Sequence, residues 1–521
     1  MPFFDFHCHP GMKARLAPKG HEPNPWPPIT VQLQILKSIK LDISPAFGDS
    51  LDSQASLQQL WKGEVNLVGL ILHSIESKVA AGLLAMSIVK NGRIIQLGPD
   101  KLQRMADGDK YYTIIREELK TLLDNANAPA GFPPGTKLKL IRSMSEYDRN
   151  DLNTIHGILI LEGSQNLFND YNQPDFKEQF FKNLDDLTKD YRLFALNVCH
   201  FQQQPIANHA FAMQILKPVD PFYPTGRGIT EWGFVAIREL YKRNILIDTK
   251  HMGFHSRQEL YRMRQEEGIK LPLICSHAGV TGIGAMARLD YIYHEPPQDF
   301  DTVWQVRYLK KRGHVKDTAY DMTSLNLYDE DIEEVILSGG MIGVSLDQRI
   351  IGFPADDIAE KWKFYPTDID YISKKEEDVF FGNRLPQSWP PRIEDNDDVL
   401  NYDDAENQNQ GDTFDLHARY FLNQVFHILL VAKNSKRGLT IQDALSAICI
   451  GSDLDGLVNP IDCCTNTTQY ADFKNQLQTI MSTKSFWKNV DGFSFGQINT
   501  IALLEGIFFT NAETFLKKTF A

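Results

Sequence analysis

Near the start of the chain stands Phe3-Phe4-Asp5-Phe6-His7-Cys8-His9-Pro10, and the fold turns on how this stretch is read. Apolar and aromatic residues lead into two histidines at i and i+2, and Pro10 stops the run. In an extended strand residues two apart share a face, so His7 and His9 aim two imidazoles at one point where the strand ends. Neutral imidazole is the commonest protein ligand for zinc. The spacing alone proves little, because 14 histidines among 521 residues give roughly 0.4 such pairs by chance. A half-buried, hydrogen-bonded pair would look the same. The decision rests on whether other strands end in the same way.

They do. Apolar runs at Val65–His73, Leu138–Ser143, Gly157–Gly163, Leu193–Phe201, Ile245–His251, Leu273–His277, Met341–Leu346 and Ala447–Ser452 read as buried strands. Helical spacing falls over 57–62, 113–126, 176–190, 231–244, 256–267, 328–338 and 416–434. Short apolar strands separated by amphipathic helices predict a parallel sheet with helices outside, here a (β/α)8 TIM-like barrel. With the first strand there are nine strand candidates for eight places, and Leu138–Ser143 is set aside as accessory. The runs close on Glu162, His200, His251, His277 and Asp453. In such a barrel the C-terminal strand ends form one mouth, where catalytic groups gather. Burying that many ionisable groups unpaired is too costly, and metal is the natural compensation. His7, His9, His251, His277 and Glu162 are too many ligands for one open zinc site, so the count points to two ions. Glu162 can bridge them, with a hydroxide between the ions as the nucleophile.

Composition narrows the rest. The net charge of −13 argues against nucleic acid or an anionic membrane as partner. No apolar run approaches the 18 or so residues that span a bilayer, and no basic stretch followed by an apolar one opens the chain, so the reading is cytoplasmic. The six cysteines form no CxxC pair and read as reduced core residues, Cys8 pointing away from the His7 and His9 face. The chain reads as one hydrolase barrel domain, 1–521, with insertions at about 10–55, 283–326 and 352–415. The first is Pro-rich and reads as loop or lid. The last, rich in Asn, Gln and Asp, reads as solvent-exposed. His73 reads either as a pocket residue or as a hydrogen-bonded structural one, His255 as surface, His427 as packing and Asp455 as support for the last strand's loop.

Taken in order, Ile160-Leu-Glu162-Gly163, Leu196-Asn-Val-Cys-His200, Gly228-Ile-Thr-Glu-Trp-Gly233, Leu246-Ile-Asp-Thr-Lys-His251, Cys275-Ser-His277 and Gly451-Ser-Asp453-Leu-Asp455-Gly456 resemble the membrane (renal) dipeptidase family of zinc peptidases, within the amidohydrolase superfamily. The resemblance implies a dipeptidase with two zinc ions bridged by Glu162, His7 and the residue at 9 on one ion, His251 and His277 on the other. It implies that His200 polarises the scissile carbonyl, that Asp453 carries a proton from water to the leaving amine, and that Arg288 grips the substrate's carboxylate. It also implies a homodimer. The family usually has Asp where this chain has His9, which makes the site one unit more positive. Two rival readings are a barrel acting on a cyclic amide, lactone or phosphoester, and a non-catalytic barrel serving as a binding protein.

Overall fold

The computed structural model describes residues 2–16, 23–29, 52–81, 99–108, 110–169, 173–211, 224, 227–294, 303–353, 369–376, 387–388 and 413–521. Eight parallel strands form the barrel: β1 (Phe3–Cys8), β2 (Val65–Leu72), β3 (Thr154–Glu162), β4 (Leu193–Asn197), β5 (Leu246–Asp248), β6 (Ile274–Ala278), β7 (Met341–Val344) and β8 (Ile448–Ile450). They pair in chain order. β8 returns to β1 at the mouth, where Asp453 N donates to His7 O at 2.8 Å and His9 N to Leu454 O at 3.0 Å. The accessory strand Lys137–Leu140 pairs only with β3, outside the barrel path, as expected. Helices Phe176–Asp190, Glu231–Lys242, Phe254–Glu267, Asp329–Leu337 and Thr413–Asn434 fall within about three residues of their predicted bounds.

β1 does not alternate simply. Phe4 and Phe6 pack in the barrel interior with Ile158, Ile160 and Phe194, whereas Cys8 packs in the outer core. Asp5 pairs with Val68 and Cys8 with Leu70, so three steps on β1 oppose two on β2. This bulge switches the face of the strand between Phe6 and Cys8. It lets two phenylalanines fill the interior while His7 and His9 turn to the mouth. The opposite end is plugged by helix Asn511–Thr519 and the residue after it, with Phe515 6.3 Å from Phe6 and Phe520 5.4 Å from Phe194. All six cysteines are buried and free.

Beside the barrel lies a second sheet, ordered 369–373, 303–308, 292–294, 387–388, drawn from two insertions. It corrects the reading of 352–415 as solvent-exposed: Asp370, Tyr371, Ile372 and Ser373 are buried against the barrel's periphery. Residues 354–368, 377–386 and 389–412 of that insertion lie outside the described residues. Of the segment 10–55, Met12–Leu16 is a buried helix rather than loop, and 17–22 and 30–51 lie outside the described residues. Among the described residues no helix is long and apolar enough to cross a membrane.

Candidate metal centre

The ligand-type side chains arrive at the mouth from six strands. Glu162 is the last residue of β3 and His277 lies within β6. His200, His251 and Asp453 sit three residues beyond β4, β5 and β8, so these strands are shorter than the apolar runs suggested. His251 and Asp453 hold φ values of 67° and 60°. Left-handed backbone is uncommon outside glycine and costs on the order of 1 kcal/mol or more, a strain that recurs at functional sites. Here it turns each side chain back over the barrel axis.

The donor atoms converge. His7 Nε2 is 3.2 Å from His9 Nε2, and His251 Nε2 is 3.1 Å from His277 Nε2. Glu162 Oε1 lies 3.4, 3.3 and 3.6 Å from the Nε2 atoms of His7, His251 and His277, and its Oε2 lies 3.4 Å from that of His9. Asp453 Oδ1 is 3.1 Å from His9 Nε2. Two imidazole nitrogens bound tetrahedrally at 2.0–2.1 Å would stand roughly 3.3 Å apart, close to both His–His spacings. Glu162 Oε1 and the Nδ1 atoms of His9 and His251 are buried without a hydrogen-bond partner. The orphaned carboxylate oxygen of Glu162 and the paired imidazole Nε2 atoms at ligand spacing suit a cation, so this donor set fits a metal centre.

Second contacts orient the ligands. Ser276 Oγ lies 2.8 Å from His7 Nδ1 and 3.1 Å from His277 Nδ1, an acceptor shared by both rings. Such sharing keeps the N–H at Nδ1 and turns the Nε2 lone pairs to the centre. Asp248 accepts from Ser276 N at 3.1 Å and from Lys250 N at 3.1 Å, bracing β5 against β6. Asp455 accepts from Gln54 N and Ala55 N at 2.7 and 3.1 Å, supporting the last loop as its sequence position suggested.

Burial holds His9 down at about 3 against the pull of Glu162, and burial with the neighbouring His200 or His7 holds His251 and His277 well below the usual imidazole range. That keeps them neutral, the ligating form. Burial works against a charged His7, but Glu162, Asp453 and Asp248 together pull it the other way and leave it above the usual imidazole value. For Glu162, burial raises the carboxyl while His200 and His7 lower it further, leaving it well below the usual range. Burial, against His7 and helped by Glu162 and Asp347, pushes the Asp453 carboxyl up to about 7. A carboxyl near neutrality can both take and return a proton.

His200 holds its Nδ1 2.5 Å from Glu76 Oε1, which also accepts from Phe201 N at 3.2 Å, and its Nε2 is 3.8 Å from Glu162 Oε2. Burial lowers the affinity of His200 for a proton, yet Glu76 and Glu162 raise it above the usual value. Glu76 was missed in the sequence, although it stands four residues past β2 in the pattern the other strand ends follow. His73, three residues earlier, donates from Nδ1 to Glu162 O at 2.9 Å and lines the cavity. His255, read as surface, is buried: its N–H donates to Glu376 and its ring meets Glu259. His427 is buried and bonded to Asp329 at 2.8 Å.

The structure separates Arg288 from this group. A cavity of about 60 Å³, counted as space open to the centre of a water molecule, is lined by His9, Glu162, His200, His251, His277 and Asp453, and Arg288 is not among its walls. Arg288 is wholly buried, Nη1 donating to Tyr328 Oη at 3.4 Å and standing 3.6 Å from Glu376 Oε1. Glu376 follows the side-sheet strand Ile369–Ser373, so the insertion engages this guanidinium.

Over its whole length the chain superposes on 95% of the probable dipeptidase PvdM from Pseudomonas aeruginosa, with a TM-score of 0.50 and 11% identity. The chain has that protein's fold. Two further similar structures are dipeptidase AC, a metallopeptidase (TM-score 0.48, 11% identity, 100% of this chain and 99% of that one), and a metallopeptidase from Rhodobacter sphaeroides bound to a phosphinate mimic of L-Ala-D-Ala (TM-score 0.47, 12% identity, 100% and 99%). No family model and no curated protein matches the sequence. The shared α/β barrel fixes where a site lies, and the chemistry must be argued from the side chains.

Proposed function

We propose that this barrel is a metal-dependent hydrolase of the membrane dipeptidase type, cleaving the amide bond of a dipeptide or similar small substrate. The observation that carries the reading is the convergence of four imidazoles on one buried carboxylate, each Nε2 within 3.6 Å of a Glu162 oxygen. His7 and His9 would hold one zinc ion, His251 and His277 the other, and Glu162 would bridge them. Ions bound there supply Lewis acidity and lower the pKa of water.

The chain's own residues do the rest. His200, kept in place by Glu76, offers Nε2 toward the mouth as a donor to the scissile carbonyl oxygen, where negative charge develops. Asp453 lines the same cavity and is placed to accept a proton from water and return it to the leaving amine. His9 stands where the family has a carboxylate and lies 3.1 Å from Asp453, so a negative charge is lost directly beside the proton carrier. The buried walls exclude bulk water and strengthen these interactions.

The test is hydrolysis of a small panel of dipeptides by zinc-reconstituted protein. Turnover that Asp453→Asn removes is the expected result. Turnover of cyclic amides or esters in place of dipeptides would move the assignment to the wider superfamily, and no turnover with a loaded site would leave the binding-protein reading.

A further inference from the structure

Two cationic side chains in the cavity wall belong to no ligand set and to no step above. Lys250 is 1% exposed, lies beside His251 and presents its Nζ without a hydrogen-bond partner. Arg349 follows β7 and spends one side of its guanidinium on Asp347, Nε to Oδ1 at 2.9 Å and Nη2 to Oδ2 at 2.5 Å, with Nη2 also 3.4 Å from Leu457 O. Its remaining nitrogen, Nη1, is buried and has no partner. Both residues line the cavity that holds Glu162, His277 and Asp453.

Buried donors are almost always satisfied, and a lysine ammonium is rarely buried unless paired. Packing cannot explain Lys250, because a Leu or Met would fill the same place without stranding three N–H groups. Asp347 cannot serve as its partner, since both its oxygens accept from the Arg349 fork and from backbone N–H groups of Arg349 and Asn459. No carboxylate among the described residues comes within ion-pair distance of Lys250 Nζ, so an acceptor brought by a bound molecule would complete it. Both residues line the same cavity, and a planar carboxylate has two acceptor oxygens, one for a guanidinium N–H and one for a lysine N–H.

We propose that Lys250 and Arg349 form an anion subsite that holds a carboxylate of the small amide substrate beside the metal ligands, in the place the family arginine at 288 would otherwise serve. The proposal rests on the hydrolase reading for the words "amide substrate", but the subsite itself stands on unpaired donors. Arg288 is withdrawn to the side sheet by Tyr328 and Glu376, which leaves the mouth in need of another cation.

The test uses the full, zinc-loaded chain and two probes that differ only in charge, N-acetylglycine and N-acetylglycinamide, titrated calorimetrically. The acid should bind at least roughly ten-fold more tightly than the amide. Lys250→Met and Arg349→Lys should each remove most of that ratio with metal content unchanged. Arg349→Lys keeps a charge for Asp347, and Lys250→Met strands no partner, so its melting temperature should be no lower than that of the unsubstituted chain. A ratio that survives both substitutions, or one that Arg288→Lys alone removes, overturns the subsite. If no dipeptide is hydrolysed yet the ratio still depends on Lys250 and Arg349, the subsite stands and the hydrolase assignment falls.

Discussion

The barrel mouth and the side sheet handle buried charge in opposite ways. At the mouth, Glu162 Oε1, Lys250 Nζ and Arg349 Nη1 are buried with no hydrogen-bond partner. Near the side sheet the charges answer one another: Arg257 stands 3.0 Å from Asp331, Asp331 accepts from Tyr261 and from Tyr328 N, and Asp370 accepts from Ser324 N and Tyr371 N. In the first, charged atoms lack a partner inside the chain; in the second, each charge faces a counter-charge or several hydrogen bonds, although Arg257 Nε is left over. Substitutions should therefore separate function from stability according to region.

The largest expected effect is at the mouth. Asp453→Asn should cut hydrolysis by roughly 10²–10⁴-fold, the range for losing a general acid–base, with little change in melting temperature. Steady-state rates beside a thermal melt check both halves of that statement. The mirror image is Asp331→Asn, which leaves Arg257 buried without its counter-charge. It should cost about 3–5 kcal/mol in denaturant unfolding while the metal content of the folded fraction stays the same.

Glu118 is buried against Arg15, at 3.2 Å. Burial, opposed by Arg15, pushes its carboxyl up to about 7, above the ~4.3 of an unfolded glutamate. The folded chain then binds more protons than the unfolded one between about pH 4 and 7, so this residue's contribution to stability falls as pH rises through that window, by about 4 kcal/mol in all. Glu118→Gln should flatten that part of the stability profile and be the more stable protein above pH 7. A smaller effect is expected from Ser276→Ala, which removes the acceptor shared by His7 and His277. Metal affinity should drop roughly 10–100-fold, measured by competition with a chelator, with the fold intact.

Much of the mouth was legible in the sequence because each candidate ligand follows an apolar run, and the barrel brings such strand ends together whatever their separation along the chain. Glu76 followed the same pattern and was passed over, since His73 already closed the run. Lys250 sat unread beside His251, because a lysine next to a ligand carries no signal until its nitrogen is seen to lack a partner. Arg288 is a different case: its spacing from His277 matches the family, but where its side chain lies depends on Glu376 and Tyr328, which arrive from an insertion and a distant loop. The side sheet itself was invisible, because its strands of two to six residues pair across two insertions and show no shared period. The bulge in β1 was equally hidden. Regular alternation predicts one face for Phe6 and Cys8, and only pairing with β2 shows the extra residue.

The most direct measurement is zinc per chain by elemental analysis, made on the unsubstituted protein and on Glu162→Gln after identical zinc loading and removal of free metal. The account predicts about two equivalents in the first and one or none in the second, because the shared carboxylate is the ligand both ions need. Equal zinc in the two proteins, or none in either, would contradict a centre built on Glu162.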